Sequence, residues 1–363
     1  MTMPPRRSDT EVRLVAALTD TARRYLPDAT VPPPLPLSAS PDHSPGRIRS
    51  WVVPVLAAAL VVAVTVTALV MTNRGRHYSA PPAGTGPGTV VTLRARTHGL
   101  SAADLSKARR IIEARAAGLG ANDANVKVTG PNEITAWLPG LAASDVTDLG
   151  AVGDLQLRPL VIGAYGPATS QPAGPTAATG GARRTVDPFS SLGFPPPTDT
   201  AAWRALSTVQ QNAVQDMLER WDCANTAPYR ADALTVLCEP DGRMRYLLGP
   251  AIVASKDVQS AEVTAYPGPA AWQLSVDLKA AGQQRWTSYT AQHNEQVHPD
   301  DPANIWVATV DGKLVQSHGT RKAVNGAPAI WYTPDQRSET RLAANLIGGV
   351  LPAPFDVVSA TSR

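Results

Sequence analysis

The densest group of side chains able to do chemistry lies in "HNEQVHPDD", residues 293–301. His293, Glu295, His298, Asp300 and Asp301 offer the imidazole and carboxylate ligands that a divalent metal takes. Their spacing is not the HExxH of a helical zinc site, and the stretch follows a helical segment in turn-forming residues. It reads as a solvated loop, not a metal centre. None of the other histidines (His43, His77, His98, His318) repairs this, and no Gly-x-Ser-x-Gly nucleophile elbow occurs. The Gly-rich runs "AGTGPG" and "ATGGARR" lack the Lys-Ser/Thr of a phosphate loop. No nucleophile, base and orienting group can be nominated, so the expectation is a protein that is not an enzyme, with no catalytic residue, cofactor or metal.

The only two cysteines, Cys223 and Cys238, are 15 positions apart in "WDCANTAPYRADALTVLCEPDG". Neither belongs to a CxxC pair, and no His or Cys accompanies them at zinc-ligand spacing. Two separate buried thiols are one reading. A disulfide is the other, and it fits an oxidising compartment. Trp272, Trp286 and Tyr289 could line a groove for an extended apolar peptide. Trp286 and Tyr289, however, are three residues apart on a helical pattern, a spacing that core packing also explains.

These residues need a scaffold, and composition bounds it. The chain has 363 residues, 43% apolar and 17% charged, with 27 Gly and 34 Pro. That is room for two or three domains with long linkers. A formal charge of +3, without a basic stripe interleaved with aromatics, excludes a nucleic-acid partner. One segment sets the topology: "WVVPVLAAALVVAVTVTALVM", Trp51 to Met71, has 21 residues and no charge. It is long enough to cross a hydrocarbon core of about 30 Å as a helix. Fifty residues precede it, too many for a cleaved signal peptide, so it is expected to be an uncleaved anchor in membrane lipid. Arginines flank it equally (Arg47 and Arg49 before, Arg74 and Arg76 after). Arg6, Arg7, Arg13, Arg23 and Arg24 tip the balance towards an N-terminus inside, partly offset by nearby acids.

Along the chain, residues 1–50 form a tail. Ser8 and Glu11 have capping-box spacing, and Val12, Val15, Leu18 and Ala22 share one helical face. This short amphipathic helix within 8–26 could dock a cytoplasmic partner or stand solvated, and a Pro-rich tether follows. After the span (51–72) and a linker (73–88), the pattern is regular. "TVVTLRAR" reads as a strand and "SAADLSKARRIIEARAAGLG" as a helix capped by Ser101 with Asp104 at N3. "NVKVTG" and "NEITAWLPG" form a hairpin, "LAASDVTDLGA" a second helix, and "DLQLRPLV" a closing strand. The order over 89–162 is β-α-β-β-α-β, the ferredoxin-like unit. Residues 163–200 read as a loop-like, disordered linker, and 201–353 as a second α+β domain with an Asp311-Gly312 hairpin turn. Residues 354–363, beginning Phe355, Asp356, Val357 and Val358, are expected to add a terminal strand to the first domain's sheet. The fold class is therefore α+β behind an N-terminal transmembrane helix.

The ordered set "ARRIIEARAAGLGANDANVKVTGPNEITAWLPG", "DGRMRYLLGPAIVASKDVQSAEV", "WVATVDGKLVQS" and "TRLAANLIGGVLPAPFDVVSA" resembles the first periplasmic region of SecD. SecD is the accessory subunit of the Sec protein-export machinery. The resemblance covers about 89–160 and 221–360 and implies a base subdomain and a head subdomain. SecD proteins of actinobacteria tend to carry a cysteine pair where Cys223 and Cys238 stand. The implied partners are unfolded or exported polypeptide and Sec translocon components. Two departures stand out: "AGTGPGTVV" occupies the place of SecD's "GLDLRGG"-like run, and the five further membrane helices of SecD do not follow. Coupling to a proton gradient needs ionisable groups within the bilayer. Trp51–Met71 has none, so no proton-motive activity is expected of this chain itself. The layout of short helix, Pro-rich spacer and single span is also similar to tethered extracytoplasmic proteins of actinobacteria that accompany sigma factors, which implies a sensor or regulator as the alternative.

Overall fold

The computed structural model describes residues 86–166, 186–225, 227, 229–267 and 271–362, all within one compact unit. The 8–26 helix and the Trp51–Met71 span lie outside these residues. Among the described residues, no helix is long and apolar enough to cross a membrane.

The base begins with β1 (Gly88–Ala95), whose Val91, Leu93 and Ala95 alternate onto the buried face. Helix α1 (Ala102–Gly118) starts at Ser101, whose hydroxyl accepts from the Asp104 N–H at 3.0 Å while the Asp104 carboxylate accepts from the Ser101 N–H. It ends where Gly120 adopts φ +98°, with Gly120 and Ala121 donating back to Ala117 and Ala116. This is a Schellman closure, which favours a residue without Cβ. Leu105, Ala108 and Ile112 of α1 pack on β1 and on β3 (Glu133–Pro139), which forms a hairpin with β2 (Asn125–Gly130).

Two expectations fail here. The second helix over 141–151 is only a 3-10 turn, Ala143–Asp145. Ser144, Asp145, Thr147 and Asp148 compete with helical hydrogen bonding, and Gly150 and Gly153 follow at once. The run 154–161 does not close the base sheet either. It opens β4 (Leu155–Tyr165), which is buried along nearly its whole length and pairs with strands of the head. A run apolar on both faces belongs inside a covered sheet, not at an edge. The closing strand is β13 (Phe355–Ser362), antiparallel to β1 from Thr89 opposite Ser362 to Ala95 opposite Phe355, with a bulge at Val358. The sheet order β13-β1-β3-β2 is that of a βαββαβ unit, so the terminal strand expected from residue 355 onward is present. Its second helix comes from the far end of the chain too, as α5 (Gln336–Leu346) packs beside α1. The head is inserted into the base between β3 and α5.

Within the head, one bent sheet runs β11-β10-β4-β6-β5, with β7 (Val253–Ala254) also on β4. Its strands are β5 (Thr235–Cys238), β6 (Met244–Leu248), β10 (Ile305–Val310) and β11 (Lys313–Gly319). Asp311 (φ +53°) and Gly312 (φ +71°) make the β10–β11 turn left-handed at both positions, as the sequence indicates. A small sheet, β12-β9-β8, comprises β8 (Val258–Ala265), β9 (Trp272–Leu278) and β12 (Ala329–Thr333). Helices α2 (Thr200–Ala205) and α3 (Thr208–Glu219), broken by the Ser207 cap, and α4 (Ala280–Gln292) complete it. The linker expected over 163–200 is shorter than its sequence suggests. β4 runs on to Tyr165, and Phe189, Leu192 and Phe194 pack on the core around α3.

Base and head join where the outgoing chain (149–154) crosses the returning one (347–355). The Phe355 N–H donates to Gly150 O at 2.9 Å and the Leu351 N–H to Val152 O at 3.0 Å. The Arg115 guanidinium, fully buried on α1, donates to Leu149, Ala151 and Val152 on one chain and to Gly349 on the other. Burial lowers its pKa to about 10, so it stays charged at neutral pH. Gly153 (φ +77°) lies so close that a Cβ would meet Arg115 Nη2 at 2.4 Å. On α5, Glu339 is fully buried, and no basic side chain among the described residues pairs with it. Burial is the main cause that raises its pKa to about 7, with Asp335 adding to the rise.

Two outcomes follow from this joint. Arg115→Met leaves the Leu149, Ala151 and Gly349 carbonyls without their donor, while Val152 O keeps the Leu351 N–H, and is expected to lower stability by about 3 kcal/mol in urea unfolding. Arg115→Lys is expected to recover only part, since an ammonium lacks the guanidinium fork. For Glu339, the folded state holds the proton more tightly than the unfolded chain between pH 4.5 and about 7. Its contribution is therefore present at low pH and lost as pH rises through that window. Glu339→Gln is expected to gain on the order of 1–2 kcal/mol over wild type on going from pH 5 to pH 8. Equal pH dependence in the two proteins would contradict this.

Candidate functional site

The polar cluster at 293–301 is a capping segment in the fold. Asp301 accepts from the Ala303 N–H at 2.9 Å and pairs with Arg204 at 3.2 Å. His293 stacks on Tyr289, ring centroids 4.6 Å apart, and burial lowers its pKa. The Glu295 N–H donates to Thr320 O, and the His298 carbonyl accepts from Asn304 Nδ2. Asp300 occupies a left-handed turn position at φ +66°. Among the described residues, no three His, Cys, Asp or Glu side chains converge as metal ligands.

The three aromatics do not share one groove. Trp286 is 1% exposed and sits edge-to-face on Trp306 at 4.9 Å. Trp306 in turn stacks on His318 at 4.3 Å, whose Nε2 lies 3.1 Å from Ile330 O. Full burial pushes the His318 pKa down to about 4, leaving it neutral at pH 7. It packs as a neutral ring between Trp306 and the Ile330 carbonyl. Trp272 belongs to the small sheet, opposite Thr333 and Ala265. The helical spacing of Trp286 and Tyr289 is explained by α4 turning Gly282, Trp286 and Thr290 inward.

Cys223 and Cys238 form a disulfide. It ties the segment after α3 to β5 within the core of Val161, Val214, Leu218, Trp221 and Val236. Closing a loop of this size is worth about 3 kcal/mol on a chain-entropy estimate. Two further buried arginines support this region, and the sequence reading passed over them. Arg158 on β4 donates to Ala233 O and Gly249 O at 2.8 Å each and to Arg230 O, under the Tyr229 ring. Arg245 on β6 donates to Trp221 O at 3.1 Å and Gly242 O at 2.9 Å. The available signal was an Arg at an inward position within "LQLRPLV" and "RMRYLL".

Among the described residues, a shallow cleft of about 450 Å³ lies between α4 and the loop at Ala251 and Ile252. Tyr289, half-buried, forms its floor with Ile252, and its hydroxyl donates to Ala303 O. Gln284, Ser288 and Gln292 line the helix side. Arg285 is held by Asp257 at 2.6 Å and by Ile252 O at 3.2 Å. The cleft thus offers neutral hydrogen-bonding groups, apolar contact and one guanidinium, that of Arg285.

No protein-family model matches the chain, and no curated protein matches it. Among solved structures it is similar to SecDF in a super-membrane-facing form, at 18% identity and TM-score 0.46, over 78% of this chain and 32% of that one. A second, described as a membrane component SecDF that enhances protein export, has 18% identity and TM-score 0.42, over 74% and 98%. A third, SecDF from Thermus thermophilus, described as a translocon-associated membrane protein, has 17% identity and TM-score 0.28, over 83% and 35%. The chain thus spans about a third of the length of the first of these structures.

Proposed function

We propose that this chain is an extracytoplasmic protein anchored through Trp51–Met71, whose SecD-like head binds unfolded or emerging polypeptide, or another envelope protein, in or near protein export. It acts by binding, without enzymatic chemistry and without proton-motive activity of its own. The observation that carries this reading is the pairing of β1 with β13. Thr89 lies opposite Ser362, so the chain enters and leaves the base at one end of one sheet, with the whole head inserted between. That geometry suits a module with both connections on the membrane side and its head held away from them. The segment order that resembles SecD supports the same reading, and the Cys223–Cys238 disulfide suits an oxidising compartment. A second reading rests on the amphipathic pattern of Val12, Val15, Leu18 and Ala22: the 8–26 helix docks a cytoplasmic signalling partner, such as a sigma-factor system, while the head senses the envelope.

One measurement tests the orientation that both readings share, and a second separates them. In intact cells, a membrane-impermeant thiol reagent is expected to label Cys223 and Cys238 only after reduction; free thiols reached only after permeabilisation overturn the orientation. Photo-crosslinkers in the head are expected to capture nascent or unfolded polypeptide or translocon subunits, and to do so equally after removal of residues 1–46. No such capture contradicts the export reading. Capture that requires residues 1–46 favours the regulator.

A further inference from the structure

The outer face of α4 differs from an ordinary solvated helix surface. Such faces carry Lys and Glu in quantity, whereas Arg285 is the only charged residue between Ala280 and Gln292, and Asp257 pairs with it. Gln284, Ser288 and Gln292 stand on successive turns, are exposed, and engage no other side chain or carbonyl among the described residues. Gln283 on the same helix behaves differently: its amide donates to Thr287 Oγ1 at 3.1 Å and to Gly326 O at 3.3 Å. The free amides are therefore confined to the cleft side, above the apolar floor of Ile252 and Tyr289.

Their spacing has a counterpart in polypeptide geometry. Residues four apart on a helix are separated by about 6 Å along its axis. An extended chain presents equivalent backbone groups every second residue, about 6.6 Å apart. A Gln side chain offers a donor and an acceptor at its tip, so it can satisfy the N–H and C=O of one residue together. From Gln284 to Gln292 the ledge spans about 12 Å, or roughly four extended residues. We infer that this face of α4 docks the backbone of an extended, uncharged polypeptide segment, with the Gln284–Ser288–Gln292 ladder pairing alternate residues and Ile252 and Tyr289 receiving a small or apolar side chain. Recognition of this kind reads the main chain, which every sequence shares. A basic residue in the segment loses water at the apolar floor and meets the Arg285 guanidinium in place of a counter-charge, which disfavours it, and Asp257 already occupies Arg285 against an acidic one. The inference rests on the polypeptide-binding reading above and locates its surface.

The test uses the full-length chain in detergent solution and fluorescence anisotropy. The ligand is a fluorescein-labelled twelve-residue peptide of Ala, Ser, Thr and Val with a Lys at each end. One hydrogen bond between neutral groups changes affinity by about 2- to 10-fold. The double variant Gln284→Ala with Gln292→Ala is expected to bind about tenfold more weakly at unchanged thermal stability. A peptide N-methylated at alternate residues is expected to lose affinity for wild type by at least as much. If wild type binds the peptide and either change leaves affinity untouched, the ledge is overturned while the polypeptide reading stands. If wild type binds no peptide, the polypeptide reading itself fails and the ledge falls with it. If the double variant instead changes self-association in sedimentation, the face is a contact between copies, and that too overturns the ledge.

Discussion

A guanidinium taken wholly out of water needs acceptors, and both terminal nitrogens of Arg115 find them on two stretches of backbone some two hundred residues apart. Leu149, Ala151 and Val152 belong to the chain leaving the base, and Gly349 to the chain returning to it. Neither stretch is helical or paired as a strand, so their carbonyls are free to converge. Among the described residues no carboxylate touches the cation, and peptide carbonyls take the place of its hydration. The arrangement holds only if both stretches are in place, which makes this crossing the point on which the joint between base and head depends. Gly150 and Gly153 are required at the same spot because a Cβ on either would strike Phe355 or Arg115.

This has a consequence for assembly. β1 acquires its outer neighbour only when β13 arrives, with 259 residues between Ala95 and Phe355. Pairing at that separation carries a large loop entropy unless the head has already drawn the ends together. The head has the means to do so. It has a core of its own between the two sheets, α4 and α5, a second around α3 and the disulfide, and buried arginines 158 and 245 that bind carbonyls as Arg115 does. α5 belongs to both parts, since it packs on β8 and β9 of the head and beside α1 of the base.

Where local chemistry decides, the fold was legible. Ser101 with Asp104 marks the start of α1, Asp311-Gly312 the β10–β11 turn, and the terminal run from Phe355 the last strand of the base. The errors arise where tertiary contacts decide. β4 looks like the neighbouring strand for the base, and only its burial along nearly its whole length shows that it belongs inside the head sheet. Residues 141–151 have apolar spacing compatible with a helix, yet their last carbonyls are claimed by Arg115, a residue on another element. Of the site, the cysteine pair was readable from composition. The aromatics were not, because helical spacing alone cannot tell Trp286, locked on Trp306, from Tyr289, which reaches the surface. The Gln284–Ser288–Gln292 face gives no signal until the opposite wall of the cleft is placed.

The central structural claim is that the base is a single sheet closed by the far end of the chain, with the head as its insertion. The most direct measurement is hydrogen exchange on the protein shortened to end before Phe355. Amides of β1 and β3 are expected to lose protection together while those of β9 and β10 in the head keep theirs. Wild-type protection across β1 and β3 in the shortened chain would show that the base closes without β13, and would contradict the account.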